Sequence, residues 1–400
     1  MNINTAQATD LRPMLFLNAL QIDNLLSHRE KYGNFQNVYD LQAIPGFNLI
    51  TLQKLIPLIK ISAIGVRNLK FGENFKKGYI QEFLFRSSAN FQKASGYQGE
   101  NPIYLGSPTK MLGRYKLQNN VLKFSLVYEK DAGESLNLKY NHTSWGLQLL
   151  NLGIFNKIVL GDYHLKFGQG LSLWSGFNPQ YNNQIGQLAK TDLGLSLSSS
   201  ATEFGFLKGL ATEMKLSDNL ALTSFFSIRK LDATLGENEY GTGVQTFLET
   251  GLKRSIRERL LSKNVSQRLY GLNLNKEFNN FKIGVNLTQT SLDKPQLPAN
   301  LLYKKFDFIG SILWNTSLYY DFRINSKLFT GYSFGEIAYA VGQSGANAQI
   351  YGLLLALNKH VDMGVVWRNY EPAFNNFYSA AIATSSIKNE HNFTTLMTYT

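Results

Sequence analysis

The stretch from residue 161 to 177 carries an acid, a base and an amine at alternate positions. Asp162, His164 and Lys166 are two residues apart, so on a strand they share one face, with Tyr163 and Phe167 on the other. A catalytic triad needs a serine nucleophile placed with a base and an orienting acid, and no such serine accompanies them. The spacing therefore predicts a polar ladder that lines a lumen rather than an active site.

A second charged set lies in a stretch, about 235–268, that is predicted to be a long loop. Its five candidates for binding an anionic ligand are Lys253, Arg254, Arg257, Arg259 and Lys263. Glu258 is the only acid between Lys253 and Arg268, and neighbouring apolar residues at helical spacing predict a short surface helix with a basic face. Two interpretations stay open: a plain extracellular loop, or a surface that binds lipopolysaccharide phosphates or guides DNA.

Other chemistry is poorly represented in the chain. There is no cysteine, and the five histidines lack the spacing of a metal motif, so we predict no metal, no cofactor and no enzyme. The run from Glu129 to Glu134 holds three carboxylates, which we interpret as a solvated turn that Gly133 makes possible.

The composition is aromatic-rich without being hydrophobic on average. The 400 residues include 27 Phe and 21 Tyr, but 17% are charged and the mean hydropathy is −0.18. No run reaches the roughly 18 apolar residues that a membrane-spanning helix needs. The mixture is typical of a membrane β-barrel, whose strands turn alternate residues to lipid and to a polar interior. A formal net charge of +12 also allows an anionic partner.

From about residue 79 the apolar residues alternate with polar ones. Tyr270, Leu272 and Leu274 form one face of a strand, and after a turn Val285 and Leu287 continue that face on the next strand. More than a dozen strands are predicted, including one at 376–387. Their length and the aromatic residues near their ends favour an antiparallel transmembrane β-barrel over a soluble sandwich.

The first 65 residues instead have apolar residues at three- and four-residue steps, which predicts two helical hairpins. Their turns fall near 16–18 and 45–48. Residues 2–58 closely resemble the ComEA-like helix-hairpin-helix module of competence DNA receptors, through "NINTA", "HREKYGNF" and "VYDLQAIPGF".

In that family each hairpin has a Gly-hydrophobic-Gly turn whose N–H groups meet a DNA phosphate. The resemblance implies Gly46, Phe47, Asn48 and Lys54 as DNA contacts, although Asn48 stands where the second glycine would be and the first hairpin keeps neither glycine. Residues 1–65 hold five Lys or Arg against four Asp or Glu, a net charge of +1. That charge is small for binding several phosphates, which favours a structural or docking role.

The rest of the chain resembles the barrel of helix-hairpin-helix outer-membrane proteins found in Bacteroidota, through "YLGSPTKMLGRYKL", "YEKDAGE" and "GDYHLKFGQGLSLWSGF". We therefore expect a periplasmic helical domain at 1–65 and a mainly β outer-membrane barrel at 66–400, truncated at its C-terminal end. The expected function is a channel or assembly component whose helical domain docks a partner or plugs the barrel. The alternative is DNA binding or uptake. Expected partners are outer-membrane lipid and lipopolysaccharide, duplex DNA, and a periplasmic protein.

Overall fold

The structure is a computed structural model. It describes residues 1–4, 6, 11, 14, 17, 19–35, 38–44, 47, 49–61, 78–92, 94–176, 185–190, 192–238, 241–278, 280–326, 329–342, 345–357 and 361–399. The chain forms two compact units. One comprises Met1–Gln81, Leu117–Lys123 and Leu149–Gly153, and the other Glu82–Lys116, Phe124–Gln148 and Ile154–Thr400. The domain boundary expected near residue 65 lies outside the described residues.

The N-terminal residues form a small helical module with its own core. It contains α1 (Ala19–Tyr32), a 3-10 turn (Val38–Ala43), α2 (Leu49–Leu55) and a second 3-10 turn (Ile56–Leu58). Leu25 and Leu55 are fully buried, as their helical spacing predicts. The two ends of the module meet where the N–H of Ile3 donates to the carbonyl of Lys60 at 3.1 Å. In the described residues, no helix has both the length and the apolar character needed to span a bilayer.

The remaining chain is dominated by one large, mainly antiparallel sheet. Its strands are β1 (Ile80–Ser88), β2 (Lys110–Gln118), β3 (Leu122–Lys130), β4 (His142–Leu152), β5 (Phe155–Lys166), β6 (Gly194–Leu197), β7 (Leu207–Ser217), β8 (Leu220–Asn238), β9 (Gly241–Leu248), β10 (Val265–Glu277), β11 (Phe281–Gln296), β12 (Gly310–Asn325), β13 (Thr330–Val341), β14 (Gly345–Ala356), β15 (Val361–Tyr370) and β16 (Glu390–Tyr399). Fourteen of them follow one another in chain order, while β6 and β9 pair beside that path.

The two ends of the sheet differ in the length of their connections. At one end, hairpins such as β7–β8 and β10–β11 close within a few residues, and we call this the short-turn end. At the other, the long-loop end, β5 is followed by about forty residues before β7, and β8 and β10 are joined through β9 and the short helix α3 (Ile256–Leu260). β1 starts at the short-turn end, because its far end leads into the long connection to β2.

One face of the sheet is apolar and exposed along several strands. Leu274, Val285, Leu318 and Ile337 sit opposite one another on β10, β11, β12 and β13, and each is about two-fifths exposed or more. Such a continuous apolar band is what the lipid-facing side of a membrane barrel requires. The alternation predicted for β10 and β11 is therefore confirmed.

On the same strands, the residues next to these apolar ones lie on the opposite, inner face, and several of them are polar. Asn273 donates to the side chain of Asn286 at 2.8 Å, and Asn286 donates to the hydroxyl of Ser317 at 3.0 Å. All three are buried. Because buried polar groups are costly without partners, this cross-strand ladder stabilises an interior that excludes solvent at this level.

The sheet is curled into a barrel. In a flat sheet β5 and β13, six strand steps apart, would be separated by roughly 29 Å at about 4.8 Å per step. Yet the N–H of Gln169, three residues beyond the end of β5, lies 2.7 Å from the carboxylate of Glu336 on β13. Such a contact requires the inner face to be strongly concave, as in a barrel.

Two parts of the chain differ from the sequence prediction. The strand predicted at 376–387 is wrong: these residues are irregular, and buried side chains such as Tyr378 and Ile382 hold them against the inner face. The predicted loop at 235–268 contains the end of β8, all of β9 and α3. The helix was predicted and is present. β9 was missed because its sequence is short and rich in glycine and threonine.

Candidate functional site

The chain after β5 lies against the inner face of the barrel, and we call residues 167–176 the first inner loop. The Glu336 carboxylate accepts backbone N–H groups from Gln169 at 2.7 Å, Leu171 at 3.1 Å and Ser172 at 3.2 Å. Glu336 is buried. Three donors on one carboxylate satisfy a buried acid and tie the loop to β13.

Gly168 lets the loop turn close to this carboxylate. Its φ of +60° lies in the left-handed region, which side chains with a Cβ adopt at a cost. A Cβ at this position would also lie 2.9 Å from Glu336 Oε2 and 2.9 Å from the Tyr319 ring. Glycine is therefore required here both for the backbone conformation and for the space.

A second inner loop, residues 371–389, lies against the first. The Asn376 amide donates to the carbonyls of Leu171 at 2.9 Å and Ser172 at 2.7 Å. The N–H of Trp174 donates to Tyr378 at 2.7 Å, so the two loops also share a backbone bond. The second loop is anchored to the wall where the hydroxyl of Tyr370 on β15 donates to Ile382 at 2.7 Å.

The predicted ladder on β5 occupies different surroundings at each step. Asp162 is fully buried, pairs with Lys208 at 3.0 Å and accepts the N–H of Trp145 at 3.1 Å. His164 packs closely against Gly176: a Cβ atom added to Gly176 would lie 2.6 Å from the His164 ring. Lys166 lies 5.4 Å from the centre of the Trp174 ring.

The other face of this part of β5 is enclosed as well. Tyr163 and Leu165 are fully buried, in a cluster with inward side chains such as Phe225 and Leu269. The hydroxyl of Tyr163 donates to the carbonyl of Phe226 at 2.9 Å. The end of β5 thus has protein on both sides, and the ladder of Asp162, His164 and Lys166 stays a prediction as a lumen lining.

A cavity of about 340 Å³ lies at the long-loop end, and we call it the basic cavity. Its lining includes His142 from β4, Phe206 from the chain just before β7, Lys208 from β7 and Arg229 from β8. The Arg229 guanidinium lies 4.0 Å from the centre of the Phe206 ring, and His142 meets the same ring edge-on at 5.9 Å. Cation–π contact of this kind orients the guanidinium without neutralising it.

Lys253 is a buried cation of this cavity. Its ammonium lies 3.4 Å from both Glu203 and Asp232, and its side chain is almost completely buried. Burial raises the pKa of Glu203 to about 7, with Lys253 acting in the opposite direction and the carboxylates of Glu134 and Asp131 adding to the rise. The acid in the cavity wall therefore changes charge near neutral pH.

The other residues of the predicted anionic loop are placed differently. Arg254 pairs with Glu258 at 2.8 Å, and this hydrogen bond raises the pKa of its guanidinium. Arg259 lies 4.3 Å over the Tyr140 ring, while Arg257 is exposed on α3. Lys263 lines the basic cavity and donates to the carbonyl of Lys139 at 2.8 Å. The structure thus brings Lys253 and Lys263, and not the whole basic set, to one cavity.

The residues implied as DNA contacts are only partly described. Gly46 and Asn48, like Phe16 and Asn18 of the first hairpin, lie outside the described residues. Phe47 is buried in the core of the helical module, and Lys54 is exposed near the end of α2.

One further cation of the module is used internally. The Arg29 guanidinium donates to the carbonyls of Ile3 at 2.9 Å and Ala6 at 2.6 Å. It therefore fixes the N-terminal residues against α1. In the part of the chain that the structure describes, no three His, Asp or Glu side chains gather as metal ligands.

His142, Lys208 and Arg229 were missed by sequence reasoning. They are separated by 66 and 21 positions in the chain and meet only because the starts of β4 and β7 lie near the middle of β8. Arg229 gave the one available signal. It continues the inward positions of Phe225 and Ser227, where a charge needs a partner.

An apolar outer band, a polar inner face and long loops at one end define an outer-membrane β-barrel, and a helix-hairpin-helix motif precedes it. Residues 1–60 match the helix-hairpin-helix motif family. No curated protein sequence matches the chain.

Several solved outer-membrane barrels are similar in fold. OccK9 (OpdG) of Pseudomonas aeruginosa is 10% identical, with 72% of this chain and 66% of that chain covered and a TM-score of 0.33. A BenF-like porin from Pseudomonas fluorescens Pf-5 is 11% identical, with 72% and 65% covered and a TM-score of 0.30. The outer-membrane expressed OmpT of Vibrio cholerae is 9% identical, with 80% and 96% covered and a TM-score of 0.28. The chain spans about two thirds of the length of the first two proteins.

Proposed function

We propose that the chain forms an outer-membrane channel for small solutes, narrowed by its own two inner loops. The observation that carries this proposal is the attachment of the first inner loop to the barrel wall by the single carboxylate of Glu336. A loop tied to β13 at one acid can move away from that strand without unfolding the barrel. The loops, rather than the helical module, then plug the interior.

Conductance across planar lipid bilayers tests the proposal. We expect the purified full chain to give small or infrequent openings, and Glu336→Gln to give larger or more frequent ones. Glu100→Gln is a matched control, because Glu100 is exposed in the connection between β1 and β2. Absence of any conductance from both the natural chain and Glu336→Gln would refute the channel.

We propose further that the helical module faces the periplasm and docks a protein there. Support comes from connectivity: the module precedes β1, which begins at the short-turn end, and outer-membrane barrels carry their short turns on the periplasmic side. The absence of cysteine allows a direct test. Lys54→Cys should react with a membrane-impermeant maleimide only after the outer membrane is permeabilised.

Leu302→Cys is the matched control for orientation. Leu302 is almost fully exposed in the connection between β11 and β12, at the long-loop end, and should be labelled in intact cells. Labelling of Lys54→Cys in intact cells would reverse the proposed orientation.

DNA binding is the second candidate, and the helix-hairpin-helix match of residues 1–60 with exposed Lys54 favours it. Fluorescence anisotropy of labelled duplex DNA titrated with the full chain in detergent tests it at two salt concentrations. Binding that weakens with salt and with Lys54→Gln would support a DNA-uptake role. No binding at low salt would leave docking as the function of the module.

A further inference from the structure

The basic cavity holds cations that its own acids do not neutralise. The side chains lining it include five Lys or Arg and three Asp or Glu, a formal excess of two positive charges. Asp162, which pairs with Lys208 from outside the lining, reduces the excess to one. With all of these acids ionised, a single negative charge therefore balances the cavity.

Among the described residues, three of these cations have no carboxylate in ion-pair contact: Arg229, Lys263 and Lys230. The Arg229 guanidinium donates to the carbonyl of Glu203 at 3.2 Å and stacks on Phe206. The Lys263 ammonium donates to the carbonyl of Lys139 at 2.8 Å, while its backbone N–H donates to Asp232. Arg229 and Lys263 both carry a full charge into a partly enclosed space, where attraction to an anion is stronger than in bulk water. Guanidinium groups also present paired N–H donors that match a carboxylate.

His142 adds an unused polar atom to the same wall. Its Nε2 is buried and has no hydrogen-bond partner among the described residues. Buried polar atoms normally have partners, so one that lacks a partner at a cavity wall is available to a ligand. His142 also contacts Phe206, which places this atom beside the ring that supports Arg229.

Part of the remaining lining is apolar, beside polar residues such as Asn141 and Thr143. Phe206, Leu231 and Leu248 line the cavity together with the cations. A volume of about 340 Å³ is at the lower end of the range typical of small-molecule sites. The lining therefore suits a small molecule with an apolar body and one anionic group, whereas a multiply charged phosphate would exceed the available positive charge.

We propose that the basic cavity binds a small organic monocarboxylate, with Arg229 and Lys263 holding the carboxylate and Phe206 packing against the apolar body. The inference deepens the proposed channel function, because it names the solute class that the long-loop end captures. Capture at this rim would place the solute at the entrance above the inner loops.

Isothermal titration calorimetry on the full chain in detergent tests the inference, with phenylacetate as the probe. The comparison ligands are phenylacetamide, which has the same shape without the charge, and inorganic phosphate. We expect phenylacetate to bind with a Kd of about 1 mM or tighter, and phenylacetamide to bind at least about tenfold more weakly, a difference of about 1.4 kcal/mol.

Two variants locate the bound carboxylate. Arg229→Met and Lys263→Asn should each weaken phenylacetate binding at least about fivefold, and asparagine suits the φ of +52° at position 263. Lys263 is exposed, so its variant remains informative if the buried Arg229 proves necessary for folding. Arg86→Met is the matched control: Arg86 is exposed on β1, and its variant should bind as the natural chain does.

Equal affinity for phenylacetamide, tighter binding of phosphate, or no binding at 10 mM phenylacetate (about ten times the expected Kd) would each overturn the inference. A loss of binding with Arg257→Met but with neither cavity variant would move the ligand to the exposed surface of α3 and would also overturn it. Binding in detergent does not depend on conduction. Binding without conductance would refute the channel function and support the binding site. Conductance without binding would support the channel function and refute the binding site.

Discussion

Glu336 Oε2 accepts the N–H of Gln169 at 2.7 Å, joining two residues that are 167 positions apart in the chain. The bond links the first inner loop to β13, and the same carboxylate also takes the N–H groups of Leu171 and Ser172. The Glu336 side chain thus ties a loop inside the barrel to β13.

Glu336→Gln should lower the free energy of unfolding by about 2–4 kcal/mol, since hydrogen bonds to a charged group contribute roughly 1.5–3 kcal/mol each. Glutamine keeps one acceptor oxygen and places an NH₂ group against N–H donors. Urea unfolding in detergent, followed by tryptophan fluorescence, measures the change. Glu100→Gln should differ from the natural chain by less than about 0.5 kcal/mol. An equal effect of both variants would contradict the role of Glu336 in holding the first inner loop.

Gly168→Ala tests the close approach of the loop to Glu336 and Tyr319. Gly78 is a matched control, because its φ of +57° is nearly that of Gly168 but nothing lies within 4 Å of its Cβ position. Gly78→Ala should lose only the backbone term of about 1–2 kcal/mol. Gly168→Ala should lose about 1–3 kcal/mol more, the usual cost of overpacking. Equal losses of stability for the two variants in the same unfolding measurement would show that the loop can shift to make room for the added methyl group.

The overall barrel could be predicted from the sequence, but the inner loops could not. Alternation such as that of Leu272 and Leu274 depends only on which face a residue takes, and that pattern is local. Glu336 instead occurs in β13 among alternating aromatic residues. Its role in holding the first inner loop depends on backbone donors 164 to 167 residues away in the chain. Local sequence contains no information on such a pairing.

The basic cavity shows the same limit for charged residues. Lys253 and Lys263 were predicted because they are close in sequence, and that proximity also suggested Arg254 and Arg257. The structure separates these four by burial and partner, which a count of charges cannot do. The cavity is completed by residues such as Arg229, which belong to other strands.

Binding of the probe carboxylate should weaken as the pH rises from 6 to 8.5. Glu203, with its pKa raised to about 7 by burial, is mostly neutral at the lower pH and gains a negative charge in the cavity wall at the higher one. The charged groups that act on it are Lys253, Glu134 and Asp131.

The same titration affects stability. Because the folded-state pKa of Glu203 lies above its ordinary value of 4.5, the folded chain holds this proton more tightly. The contribution to stability is complete below about pH 4.5 and is lost as the pH rises to about 7.

Calorimetry at pH 6 and 8.5 checks the predicted effect on binding of the probe carboxylate, and Glu203→Gln should remove most of the pH dependence of that binding. An unchanged pH dependence in Glu203→Gln would assign the effect to another group.

Asn376→Ala tests whether the two inner loops act as one plug. The Asn376 side chain donates to the carbonyls of Leu171 and Ser172, whose N–H groups are held by Glu336. The two side chains therefore hold opposite sides of the peptide group between Leu171 and Ser172. Loss of either one frees the loop and weakens the hold of the other, so their effects on stability should not add.

A double-mutant cycle of Asn376→Ala with Glu336→Gln measures this coupling by urea unfolding. We expect an interaction energy of about 1 kcal/mol or more, as is typical of contacts in one network. Asn264→Ala is the matched control, because the Asn264 side chain donates to the carbonyl of Ala233 at 2.7 Å, away from both inner loops. That variant should combine with Glu336→Gln additively within about 0.5 kcal/mol. Additivity in both cycles would mean that the loops are held independently, so that opening the channel would require two separate releases instead of one.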